Sequence, residues 1–280
     1  KQQILKGIKM KLAKLITLIL ILTSGSALNS STIYVSTSGS GDVTTITAGL
    51  NLASAGDTVY VYNGIYSQAK GEVFPLIIPS NVTLLGEDFE NTIIDATGTN
   101  KSGILLDIKE NITIKYLKIK NARKGIESKN TSNITIDHCF IQGSTDANID
   151  LKDSPNPIIT NNVIVESRQG ILLKNCSLAF ISHNTIVGTD SIAHVHGIKC
   201  NETSARIEYN IVYGFGHGIE VDNIAADSLN IAHNNVSSCN IPYQDQGEGT
   251  SFAPDPDSGN TDYDPLFVNP EAGDFHLREN

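Results

Sequence analysis

The sequence predicts an all-β parallel β-helix, a solenoid of about 22 residues per coil, and three observations predict it. First, six segments repeat one another: Ile112–Ile114, Ile134–Ile136, Pro157–Ile159, Ala179–Ile181, Ala205–Ile207 and Leu229–Ile231. Three residues after each stands one column, Leu117, Cys139, Asn162, Asn184, Asn210 and Asn234. Second, a column of Gly103, Gly125, Asn148, Gly170, Gly197 and Gly218 is followed each time by isoleucine, with steps of 22, 23, 22, 27 and 21 residues. Third, tryptophan is absent and aromatics make up 6% of the 280 residues, while Ile, Asn, Thr, Ser and Gly dominate. Thin β-branched strands stacked on one another use that composition.

Residues 1–27 read as an export signal. Lys9, Lys11 and Lys14 flank Met10, an apolar run follows from Leu15 to Leu22, and Gly25-Ser26-Ala27 offers small residues for cleavage. The run is short for a membrane span, so no span is expected after cleavage and the chain is placed outside the cell or on its surface. Removing this segment takes away five lysines and no acid, which moves the formal charge from −10 to −15, with 15 basic residues against 30 acidic. A chain so acidic repels phosphate backbones, so nucleic acid is excluded as a partner. A polyanionic sugar would need bridging cations on such a surface, Ca2+ being the candidate.

Residues 28–80 form an amino-terminal cap with the first strands. Ile46, Leu50 and Ala53 share one face of a short helix, Gly56-Asp57 stops it, and Thr58 to Tyr62 alternate as a strand. The cap is needed because an open coil exposes apolar side chains and unpaired strand edges. Asp42 and Asp57 read as turn and cap residues. Residues 81–245 are the coils, beginning with less regular strands at Val82–Gly86 and Thr92–Asp95. Within each coil alternate isoleucines point into the bore and the residues between them point out. Neighbouring coils sit about 4.8 Å apart, so like stacks on like, and the asparagine column reads as a hydrogen-bonded ladder at a turn. Residues 246–280 are a closing segment, with Asp255 to Asn260 reading as a polar turn rather than a calcium loop.

These repeats, with the capping helix and the Asp264-Pro265-Leu266-Phe267 segment, resemble the right-handed parallel β-helix proteins of the pectate-lyase-like superfamily, in secreted or cell-surface form. The resemblance covers most of the chain after residue 30. It implies a right-handed coil, and in such proteins the Asp-Pro-Leu-Phe segment packs on the last coil. It does not select a reaction, since the superfamily contains lyases, hydrolases, epimerases, tailspikes and non-catalytic proteins.

The outward columns of the glycine-led strand carry the chemistry-bearing residues. One reads Leu105, Glu127, Asp150, Leu172, Lys199, Glu220; the next reads Asp107, Lys129, Lys152, Lys174, Asn201, Asp222. His196 and His217 precede the glycine column, and Asp146 and Arg168 lie one residue further back. The 27-residue step places an extra loop, Thr189 to His196, over this face. As a substrate-binding face the candidates are Glu127, Lys199, His217 and Glu220, presented to a polysaccharide or cell-surface glycan by a monomeric module. The alternative is a calcium-dependent polysaccharide lyase or epimerase on an acidic glycan. By the superfamily resemblance, Asp146 and Asp150 would then hold Ca2+, and Arg168 or Lys174, with His196, would supply the proton-transferring group. No Asp-Asp pair supports a hydrolase. The competing structural reading of the same residues is a charged, solvated sheet face. One methionine and scattered histidines give no copper-ligating pattern. Cys139, Cys176, Cys200 and Cys239 share no column in neighbouring coils, so buried free thiols are expected rather than disulfides.

Overall fold

A computed structural model describes residues 30–188, 195–223, 228–247, 250–251 and 254–278. The segment read as an export signal and most of the loop expected over the glycine-led face therefore lie outside the described residues. From Ser31 the chain winds about eight turns of a β-solenoid.

Each coil contributes one strand to each of three sheets. The first sheet has nine strands, from Thr32–Val35 to Leu229–Ala232. The second, led by the glycine column, runs through Lys124–Lys129, Ala147–Lys152, Gln169–Lys174, His196–Asn201 and His217–Asp222. The third has eight short strands, such as Phe140–Gln142 and Val163–Val165. Pairing within the coils is parallel. The antiparallel exceptions are the second sheet's edge at Ile241–Asp245 with Thr250–Ser251, and a separate hairpin of Phe267–Asn269 with Asp274–Leu277.

Like stacks on like, as the repeat requires. Ile112 pairs with Ile134 and Ile136 with Ile159, and Ile181 follows with Ile207 and Ile231. Nearly all of these isoleucines have no exposed surface and together make one continuous core. The glycine column marks a corner where backbone meets backbone. A Cβ on Gly125 would lie 2.5 Å from the Asn148 carbonyl oxygen and from Ile141 Cγ2, and one on Gly197 would lie 2.3 Å from Val212 Cγ1.

Asn162, Asn184, Asn210 and Asn234 form the expected ladder, each 1% exposed, with Nδ2 donating to the next Oδ1 at 2.9 Å along the three steps. Asn260 extends it, accepting from Asn234 Nδ2 at 3.1 Å. A second ladder, on the outside, was not legible beforehand: Asn111 donates to Asn81, Asn133 to Asn111 and Asn156 to Asn133, at 2.8–3.0 Å. All four have φ between 53° and 62°, the left-handed region that asparagine tolerates best among residues with a side chain.

The amino-terminal helix spans Ile46–Leu52 with Ile46, Gly49 and Leu50 buried. Thr45 caps it, and Glu72 accepts from the Ile46 and Thr47 amides at 2.6 and 2.9 Å. Asp42 accepts from the Tyr34 amide, and Asp57 from Ser31 and Ser54, so both acids hold turns and caps. At the other end Asn260 and Thr261 continue onto the last coil. Phe267 does otherwise than the resemblance implied. It folds back along the side of the solenoid and packs on Val165 and Val187 of the third sheet, because that sheet's outer face there carries apolar side chains. Asp255 accepts from the Asp257 amide at 2.9 Å in a short turn. Among the described residues no helix is long and apolar enough to cross a membrane.

Candidate functional site

Three coils carry the same four-residue corner: Lys124-Gly-Ile-Glu127, His196-Gly-Ile-Lys199 and His217-Gly-Ile-Glu220. In the strand ladder the residues before and after the Gly-Ile pair are matched across coils while the glycine is skipped, so Lys124 aligns with Ala147 and Ile126 with Ile149. The first and fourth side chains therefore lie together on the outer face, although they are three residues apart in a strand. This i, i+3 spacing is the signal by which the charge pairs are legible in the sequence.

At the upper coils the corner builds a buried cluster. His196 and His217 are register partners with ring centroids 5.1 Å apart. His196 Nε2 and His217 Nδ1 each lie 3.0 Å from Glu220 Oε2, and Lys199 Nζ lies 2.5 Å from Oε1. Glu220 has no exposed surface, and the two histidine side chains are 6% and 9% exposed. An outward position in an alternating strand predicts a solvated carboxylate; here His217 flanks it, Lys199 lies on one side in the column and Gln244 on the other. Burial pushes the Glu220 carboxyl up, but His196 and Lys199 outweigh that and hold it down at about 2. It is an ionised carboxylate held by the Lys199 ammonium and two imidazoles.

At the lower coils the same corner makes a second cluster. Lys124 Nζ lies 3.0 Å from Glu127 and also contacts Asp150. Arg123 sits 2.9 Å from Glu127 and 3.7 Å from Asp146, and the Ser102 hydroxyl donates to Glu127 at 2.5 Å. Burial raises the Glu127 carboxyl, and Ser102, Lys124 and Arg123 more than offset it, leaving it below the usual range. Asp146 and Asp150, the candidate calcium ligands, thus each face a protein cation. Lys124, Arg123 and Ser102 are members of this cluster that the sequence reading did not place in the site.

Arg168 and Lys174 stand apart. Both are exposed, Arg168 just before Gln169, and neither makes an ion pair with a described residue. Lys174 instead completes a column with Lys129 and Lys152, stacked in consecutive coils, all exposed and without an ion-pair partner among the described residues. The four cysteines are free thiols; Cys139, Cys176 and Cys200 are buried and Cys239 partly so. Histidines scattered in the sequence do meet in space: among the described residues the set of three metal-ligating groups with ligand atoms within 4.8 Å of one another is His196, His217 and Glu220. Elsewhere, a groove of about 570 Å³ runs between the third sheet and the carboxy-terminal hairpin, lined by Phe140, Lys118, Glu90 and Phe275 among others.

Residues 35–249 match the family described as protein of unknown function (DUF1565). No curated protein matches the sequence. Among solved structures, the A-module of the Azotobacter vinelandii mannuronan C-5 epimerase AlgE4 aligns with a TM-score of 0.50 at 20% identity, over 71% of this chain and 60% of that one. An alginate lyase from Paenibacillus sp. str. FPU-7 aligns with a TM-score of 0.48 at 13% identity, over 74% of this chain and 81% of that one. A pectin methylesterase in complex with a hexasaccharide aligns with a TM-score of 0.43 at 12% identity, over 89% and 98%. The chain is a right-handed parallel β-helix, the fold it shares with the epimerase module.

Proposed function

The chain belongs to the DUF1565 family, and we propose that it is an exported β-helix module, acting at the cell surface or beyond it as a monomer, that binds an anionic polysaccharide along its glycine-led sheet. The observation that carries this reading is the Lys129, Lys152 and Lys174 column. Unit charges about 4.8 Å apart repel by just under ~1 kcal/mol per neighbouring pair even in water. Asp107 adjoins only Lys129 in this column, and no described acid pairs with Lys152 or Lys174, on a chain whose formal charge is −10. A polymer with a carboxylate on successive sugars, laid along the solenoid axis, would relieve the repulsion. Lys124, Glu127 and Asp150 lie beside this column in the same coils, and the cluster of Lys199, His217 and Glu220 lies in the coils beyond it, with Lys199 the most exposed of the three. The epimerase module that shares the fold is named for a polysaccharide substrate, mannuronan, which is consistent with this assignment.

Binding of the purified chain to a panel of neutral and uronate-bearing polysaccharides, by affinity electrophoresis and calorimetry, tests it. The expected result is preference for the anionic polymers, weakening with salt, and at least a roughly tenfold loss in the variant carrying Lys129→Ser, Lys152→Ser and Lys174→Ser, since about three phosphate-like contacts are removed. Equal binding of neutral and anionic polymers, or an undiminished triple variant, would overturn it. A second reading, turnover by a lyase or epimerase, is favoured by the gathering of His196, Lys199, His217 and Glu220 on this face, since such chemistry needs a base for the C5 proton and a cation for the carboxylate. Following unsaturated uronate in the same panel, with and without Ca2+, separates the two.

A further inference from the structure

We propose that His196, His217 and Glu220 form a site for one divalent transition-metal ion, zinc being the occupant the ligand set fits best. The inference stands independently of the polysaccharide reading. The ligand atoms are His196 Nε2, His217 Nδ1 and Glu220 Oε2, with both nitrogens 3.0 Å from the oxygen and all three within 4.8 Å of one another. Zinc bonds of about 2.0–2.2 Å at tetrahedral angles set ligand atoms roughly 3.3–3.5 Å apart. The two nitrogen–oxygen distances therefore need to open by a few tenths of an ångström, while the two imidazole nitrogens, within 4.8 Å of each other, settle to the same spacing. Two imidazoles and one carboxylate suit zinc and its neighbours rather than calcium or magnesium, which take oxygen donors. Three protein ligands also leave a fourth position for water or substrate.

The surroundings are those of a supported site. Lys199 holds Glu220 Oε1 at 2.5 Å, which orients the carboxylate with Oε2 toward both histidines. His196 is 5% exposed and its second nitrogen, Nδ1, is buried without a hydrogen-bond partner. An imidazole that binds metal through Nε2 carries its proton on Nδ1 and needs an acceptor there. Gln169 is the register partner of His196 in the preceding coil, and its Oε1 is likewise buried and unpartnered. Metal binding would give a donor to the position whose neighbour in the column lacks one. The lower cluster has the same corner geometry but presents Lys124 where the upper coils present histidine, so it holds its own cation.

The full chain, stripped with a chelator, would be titrated with Co2+ and Zn2+. Tetrahedral cobalt is read by its visible d–d absorption and zinc by calorimetric competition. One equivalent is expected to bind, with Ca2+ failing to compete. His217→Ala and Glu220→Gln should each weaken binding by more than about 100-fold, since even outer-shell partners of a metal contribute about 10–100-fold. His183→Ala, on another outer column, should bind as the parent does. Should Glu220→Gln lose its β-sheet circular dichroism, His196→Gln carries the same comparison. Absence of saturable one-equivalent binding, or folded His217 and Glu220 (or His196) variants that bind like the parent, would overturn the proposal.

Discussion

Replacing Asn184 by alanine tests the internal ladder most directly. Its Nδ2 donates to the Ile159 carbonyl at 2.8 Å, the Ser182 carbonyl at 3.1 Å and Asn210 Oδ1 at 2.9 Å. Its Oδ1 accepts from the Asn162 backbone amide at 3.0 Å and from Asn162 Nδ2 at 2.9 Å. Alanine removes the acceptor of a buried amide and the donor to a buried carbonyl, in a place 1% exposed and closed to water. Each stranded buried group costs about 1–3 kcal/mol, so the expected loss is about 2–6 kcal/mol, a large part of a typical domain's stability. Asn184→Asp should cost at least as much, because it keeps the shape but turns the donor into a second acceptor facing Ile159 and Asn210. Leu117 and Cys139 fill the same column at the lower end, so the position does not demand asparagine as such; it demands that neighbours agree. The outer ladder gives the comparison: Asn133→Ala, exposed and at φ 55°, should cost only the left-handed backbone preference, about 1–2 kcal/mol. Guanidinium denaturation followed by far-ultraviolet circular dichroism measures all three. A loss below about 1 kcal/mol for Asn184→Ala, with Asn133→Ala as damaging, would refute the argument that stranded polar groups set the cost.

Two further predictions concern titration and reactivity. The Glu220 carboxyl is held at about 2 against an ordinary value of 4.5, so its ion pairs stabilise the fold fully above about pH 4.5, and that contribution fades as pH falls toward 2. Parent and Glu220→Gln stabilities should therefore converge through that window, as read by denaturation midpoints; parallel curves from pH 5 to pH 2 would contradict it. Burial pushes the Cys139 and Cys200 thiols up to about 12 and Cys176 to about 11, and raises Cys239 as well. A thiol reagent at pH 8 should leave the folded chain almost unlabelled, with Cys239 reacting first, and should count four thiols after denaturation. Rapid labelling of Cys139 or Cys200, or fewer than four thiols, would contradict the buried-thiol assignment.

The solenoid is legible in the chain alone, because a stacked coil writes its register into it. Ile112, Ile134, Ile159 and Ile181 recur at the coil period since each must cover the one before, and Asn162 to Asn234 recur since each bonds the next. Alternation also placed Glu127, Lys199 and Glu220 on the outer side of one sheet. Alternation, however, says which face a residue takes and nothing of what lies over that face. Three-dimensional packing supplies the rest: Glu220 is sealed from solvent, Lys124 and Arg123 neutralise the acids beside them, and Lys129, Lys152 and Lys174 make no ion pair among the described residues. The coil register already brings His196 and His217 near Lys199 and Glu220 in the sequence; the structure adds that the corner at Gly-Ile, where the ladder skips a residue, turns both rings onto one carboxylate oxygen.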